Sequence, residues 1–100
     1  EYTAVFAAND EMALGLIHGF TERGVSVPEE LSIVGFDDLP LSSHFLPPLT
    51  TVRQDFQDLG AKVVAVLIAA VEGREVPQHS KLPVELKVRS STAPPRRGQP

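Results

Sequence analysis

The chain has 100 residues, 42% hydrophobic and 22% charged, with a formal net charge of −4 and no cysteine. This is the profile of one globular domain or part of one, and it excludes a disordered tract. The acidity argues against a surface that displaces cations from nucleic-acid phosphates, and the lack of thiols excludes disulfides, thiolate nucleophiles and thiolate metal sites.

Residues 3–8 form an apolar run without alternation, which predicts a strand buried on both faces, as in a parallel sheet. Asn9 and Asp10 are both helix-capping types, and Glu11 suits the positive end of a helix dipole. Met12, Ala13, Leu16, Ile17 and Phe20 then recur at helical spacing and predict one core-facing stripe, with Gly24 as the stop. Leu14 falls off that stripe. Residues 28–30 read as a turn and residues 31–36 as a second buried strand, so the first third of the chain is a βαβ unit with parallel, right-handed pairing. Asp37 and Asp38 end that strand.

Pro40, Pro47 and Pro48 predict an irregular loop over residues 39–48, and the β-branched residues 50–52 a short third strand. A long helix is expected over residues 55–72, closed by Gly73. Its apolar residues cover most of its circumference, so it needs packing partners on more than one side. Residues 84–88 alternate apolar and polar, as in a strand with one solvated face, and the proline-containing end of the chain is expected to fray. The reading is an α/β open, mostly parallel sheet with too little helical cover of its own. The longest apolar run, residues 63–71, is far short of the roughly 20 residues that span a bilayer, and no basic leader precedes the first strand. The absence of cysteine fits a reducing cytoplasm, so a cytoplasmic location is expected, with no membrane partner.

Ligands of open α/β sheets bind outside the carboxyl ends of the strands. Asn9 and Asp37 stand at two such ends on the same edge, and an amide donor beside a carboxylate acceptor suits vicinal hydroxyl groups. Capping is the simpler role for Asp10, whereas for Asn9 and Asp37 capping and ligand binding stand level. Gln54 and Phe56 follow the third strand and are secondary candidates, Phe56 as a platform for the apolar face of a ring. Catalysis is not expected. Asp37 and Asp38 are adjacent and leave the strand in different directions, Ser42, Ser43 and His44 have no nucleophile elbow around them, and no phosphate-binding glycine loop occurs. His18, His44 and His79 are too scattered for a metal site, and no cofactor is implied.

Four strings bear a further likeness. AANDEMALG (residues 7–15), SIVGFDD (32–38), PPLTTVRQ (47–54) and STAPP (91–95) resemble, in order and spacing, the ANDxMALG, SVVGFDD, PPLTTVRQ and STAPP segments of LacI/GalR-family transcription regulators. The resemblance implies a fragment of a two-lobed, periplasmic-binding-protein-like (Rossmann-like) sensor domain. Residues 1–54 would belong to its C-terminal lobe, 55–80 to a helix and crossover of the N-terminal lobe, 81–90 to the return strand and 91–100 to a disordered tail. It further implies a sugar-like effector, a sugar or sugar phosphate or else a purine. That effector would be held by Asn9 and Asp37, with Phe56 near the same pocket. Leu14 and the loop through Phe45 would form a homodimer interface, and DNA would be bound only by a helix-turn-helix domain outside these residues. The alternative with the same fold is an extracytoplasmic sugar-binding protein of a transport system.

Overall fold

The computed structural model describes residues 2–76 and 81–96. Among them the chain runs β1 (Ala4–Phe6), α1 (Asp10–Glu22), β2 (Ser32–Asp37), a single 3₁₀ turn (Ser42–His44), β3 (Thr50–Gln54), α2 (Phe56–Val71) and β4 (Val84–Lys87). The four strands lie in the sheet in chain order, β1-β2-β3-β4. β1 and β2 pair in parallel with Phe6 opposite Val34, and β2 and β3 in parallel with Gly35 opposite Thr51 and Asp37 opposite Arg53. The parallel unit expected from the sequence is present.

Burial is concentrated under α1. Ala7, Ala13, Ile17, Ile33 and Leu49 form the core, and Leu16, Phe20, Val27 and Phe45 pack against it. Ile33 and Leu49 are fully enclosed, each contributing about 2 kcal/mol from lost apolar exposure. The helix begins where Asn9 turns the chain out of β1 and ends before Gly24, whose φ of 77° is open to glycine at no steric cost.

Several expectations need correction. β1 is three residues long and is not buried on both faces: it is an edge strand, and Phe6 is 67% exposed. Met12 projects from the helix into solvent, leaving Ala13 and Ile17 as the buried stripe. The loop over residues 39–48 contains a 3₁₀ turn because Ser42 is enclosed and accepts the Leu49 N–H at 2.9 Å through its carbonyl. In β4 Val84, Glu85 and Leu86 are all exposed, and Lys87 is half-buried. By contrast, α2 lacks cover from its own chain as expected: it carries no buried residue, with Val63, Val64, Leu67 and Ile68 all exposed.

The tail also departs from its expected disorder. Ser91 is fully buried, its N-terminal neighbour Ser90 donates to the Pro48 carbonyl, and its hydroxyl donates to the Ile33 carbonyl at 2.5 Å while accepting the Thr50 N–H at 2.8 Å. Ala93 N–H donates to Ser32 Oγ. The Ser91 hydroxyl thereby satisfies backbone groups where β2 and β3 begin, and the Ser32 hydroxyl of β2 satisfies the tail backbone at Ala93, which ties residues 91–93 to the sheet. Residues 97–100 of that tail, and residues 77–80 of the expected crossover, lie outside the described residues. The chain divides into two compact units, Glu1–Arg53 with Glu85–Pro100, and Gln54–Val84.

Candidate functional site

The carboxyl ends of β1 and β2 present four polar side chains, and their hydrogen bonds separate them into two kinds. Asn9 is extended (φ −157°, ψ 172°) and is the N-cap of α1, its Oδ1 accepting the Met12 N–H at 2.8 Å. The cap uses the acceptor of the amide only. The NH₂ donates to no partner among the described residues.

Asp10, favoured from the sequence as the cap, is instead the first helical residue and is completely enclosed. Its carboxylate accepts from the Thr51 hydroxyl at 2.6 Å, the Leu39 N–H at 2.9 Å and the Ser42 hydroxyl. Asp38 is likewise committed. It is 9% exposed and pairs with Arg89 at 2.8 Å, whose guanidinium also donates to the Leu49 carbonyl.

Asp37 differs from both neighbouring carboxylates. It closes β2 with a φ of 129°, followed by Asp38 at 58°, so two consecutive non-glycine residues occupy positive φ. Such a conformation costs on the order of 1–3 kcal/mol and survives only where the surroundings enforce it. Here they do: Leu39 is tied to Asp10, and Asp38 to Arg89. The strained turn delivers a half-buried carboxyl to the rim with no hydrogen-bond partner among the described residues. Partial burial, then the nearby charges of Asp10 and Glu11, push its pKa above the ordinary aspartate value. That Asp10 and Glu11 act on it by charge agrees with the shared strand ends: α1 begins beside the end of β2.

Gln54 is half-buried at the end of β3. Asp55 caps α2, its Oδ1 accepting the Asp58 N–H at 3.0 Å, and Phe56 opens that helix with half its surface exposed. Leu14 is exposed on α1, in keeping with its place off the stripe, whereas Phe45 packs on the chain's own core. His18 lies on the exposed face of α1, 3.4 Å from Glu22, and His79 is outside the described residues. No cluster of three metal-ligating side chains occurs among the described residues. A separate groove beside β1 and α1, lined by Val5, Phe6, Met12 and Leu16, is apolar and holds none of the rim's polar groups.

Four participants escaped the sequence reading: Ser42, Thr51, Arg89 and the hub role of Asp10. Ser42, Thr51 and Arg89 are long-range partners, 32 to 51 positions from the carboxylate each serves. Gly35 carried a faint signal, since a glycine inside a buried strand marks a close approach of another group. A Cβ there would lie 2.3 Å from Asp10 Oδ1.

Residues 2–92 match the model of the periplasmic binding protein-like domain. The lactose operon repressor of Escherichia coli K12 is 44% identical over 93 residues, covering 93% of this chain and 26% of its own length. A lactose operon repressor of Rhizobium radiobacter is 36% identical over 92 residues, covering 92% of this chain and 81% of its own. Among solved structures, the Lac repressor dimer bound to operator and the anti-inducer ONPF superposes with a TM-score of 0.82 at 44% identity, over 90% of this chain and 32% of the other. The chain thus spans about a quarter of the E. coli repressor it resembles. These relatives are transcription repressors and not transport proteins, which removes the alternative reading of the sequence. The chain belongs to the periplasmic binding protein-like domain family, in the branch formed by the LacI-type transcription regulators.

Proposed function

We propose that this chain is part of the effector-sensing domain of a LacI-type regulator, and that the Asn9 amide and the Asp37 carboxylate hold the effector. The observation that carries the reading is the division of labour at the rim. Asp10 and Asp38 are consumed by internal bonds, while Asp37 is delivered by a strained backbone and keeps its acceptor oxygens open. An open carboxylate beside an amide NH₂ suits a polyhydroxylated molecule, a sugar or sugar phosphate before a purine. The relatives support the same class, since one is a lactose operon repressor and the solved repressor holds an anti-inducer.

In this reading Glu1–Arg53 with Glu85–Pro100 belongs to one lobe and α2 to the other, with Gln54 and Phe56 near the crossover and the effector. The all-round apolar surface of α2 supports that assignment. Effector binding shifts an equilibrium between two domain arrangements through unequal affinity for them. DNA is contacted by residues outside this acidic chain, in a homodimer whose interface includes Leu14 and the loop through Phe45. The regulator works in the cytoplasm, where its operator is, and performs no catalysis.

The test is effector-driven release of operator DNA from the intact regulator, followed by fluorescence anisotropy over a panel of sugars that starts with lactose. Asp37→Asn removes the charged acceptor, a loss of about 1.5–3 kcal/mol, and moves the dose response at least tenfold to higher sugar with operator affinity retained. An unaltered dose response would remove Asp37 from the site.

A further inference from the structure

One buried charge has no role in that reading. Asp10 is wholly enclosed, yet no cation among the described residues pairs with it; its partners are the Leu39 N–H, the Thr51 hydroxyl and the Ser42 hydroxyl. Taking a carboxylate out of water costs several kcal/mol unless its lone pairs are satisfied.

The three donors come from three places. Thr51 is in β3, Ser42 opens the 3₁₀ turn, and Leu39 stands two residues beyond Asp37. Asp10 is itself the peptide neighbour of Asn9. It also lies against the strand that carries Asp37, for a Cβ on Gly35 would meet its Oδ1 at 2.3 Å and its Cα at 3.3 Å. A single side chain therefore joins the backbone beside one rim residue to the backbone beside the other, with β3 as the fixed third point.

We propose that Asp10 is the positioning residue of the rim, setting the spacing between the Asn9 amide and the Asp37 carboxylate and so which pairs of hydroxyl groups an effector can offer. The proposal rests on the reading of the rim given above. Its electrostatic consequence points the same way: the charge of Asp10 helps raise the pKa of Asp37. The other charged groups placed to act on Asp37 are Glu11 on α1, Arg53 opposite it on β3, and Asp38, whose charge Arg89 offsets.

The experiment uses the unliganded regulator, so that it does not depend on knowing the sugar. Amide hydrogen exchange and the titration of the Asp37 carboxyl by carbon NMR are measured for Asp10→Asn, Thr51→Val and the parent protein. Both variants speed exchange at least tenfold over residues 37–42, with the amides of Ile33 and Gly35 in β2 unchanged. Asp10→Asn also moves the Asp37 titration to lower pH, whereas Thr51→Val, which keeps the charge, does not lower it. Exchange that rises evenly through the sheet, or stays as it was, overturns the proposal, and so does an Asp37 titration indifferent to Asp10→Asn. Should Asp10→Asn fail to fold, Thr51→Val and Ser42→Ala decide by the exchange pattern. An effector response insensitive to Asp37→Asn would sink the rim itself while leaving these measurements interpretable. A response sensitive to Asp37→Asn, with exchange at residues 37–42 unmoved, would sink Asp10 alone.

Discussion

Gly35→Ala sets a rule of thumb against the local geometry. Alanine in place of a strand glycine reduces the freedom of the unfolded chain, and where the native backbone accepts it the gain is about 0.4–1 kcal/mol. Gly35 sits in regular β2 with no positive φ, so the backbone does accept it. The space does not. The new methyl would stand 2.3 Å from Asp10 Oδ1 and 2.9 Å from Leu49 Cδ2, and neither atom is the loose end of an exposed side chain. Leu49 is fully buried, and Asp10 Oδ1 is held by Thr51 at 2.6 Å. Overpacking of this kind costs about 1–3 kcal/mol. Displacing the carboxylate from Thr51 forfeits a hydrogen bond to a charged group, worth about 1.5–3 kcal/mol. The net expectation is a loss of about 2–5 kcal/mol. Urea unfolding followed by circular dichroism measures it as a fall in the midpoint at unchanged slope. A loss below about 1 kcal/mol, or any gain, would mean that Asp10 yields without cost and that its three bonds do not define its position.

Three further expectations follow from the same contacts. Ser91→Ala strands the buried Thr50 N–H and Ile33 carbonyl, and urea unfolding should show a loss of about 1–3 kcal/mol, which a chain end that merely frayed would not produce. Arg89→Ala leaves Asp38 buried without its cation; the same titration should register about 2–4 kcal/mol, and pairing Arg89→Ala with Asp38→Asn should recover part of it. For Asp37 the folded pKa is raised, so its contribution to stability is fully present below the unfolded value and is lost as pH rises through the folded one. Effector binding that needs the ionised carboxylate runs the opposite way. Sugar affinity should fall on acidification, with a midpoint shifted upward from that of an ordinary aspartate, as measured by titration calorimetry at several pH values, and Asp37→Asn should flatten that profile.

The sequence alone determined those features that local chemistry dictates. The apolar run into Asn9 and Asp10, the stripe through Ala13 and Ile17, and the second run into Asp37 made a parallel βαβ unit legible, because strand and helix periods and their stop signals are written within a few residues. That topology by itself brought Asn9 and Asp37 to one edge. The tertiary structure decided which polar residue does which work. On paper Asp10 is the favoured cap, and only the arrival of Leu39, Ser42 and Thr51 buries it and leaves the cap to Asn9. Asp37 and Asp38 are equal as carboxylates, until Arg89 engages one and the strained turn presents the other. Ser91 looked like part of a loose tail because its partners, Ile33 and Thr50, lie more than forty residues upstream. Burial and pairing of polar groups depend on segments that meet only after folding, and no periodicity along the chain encodes those meetings.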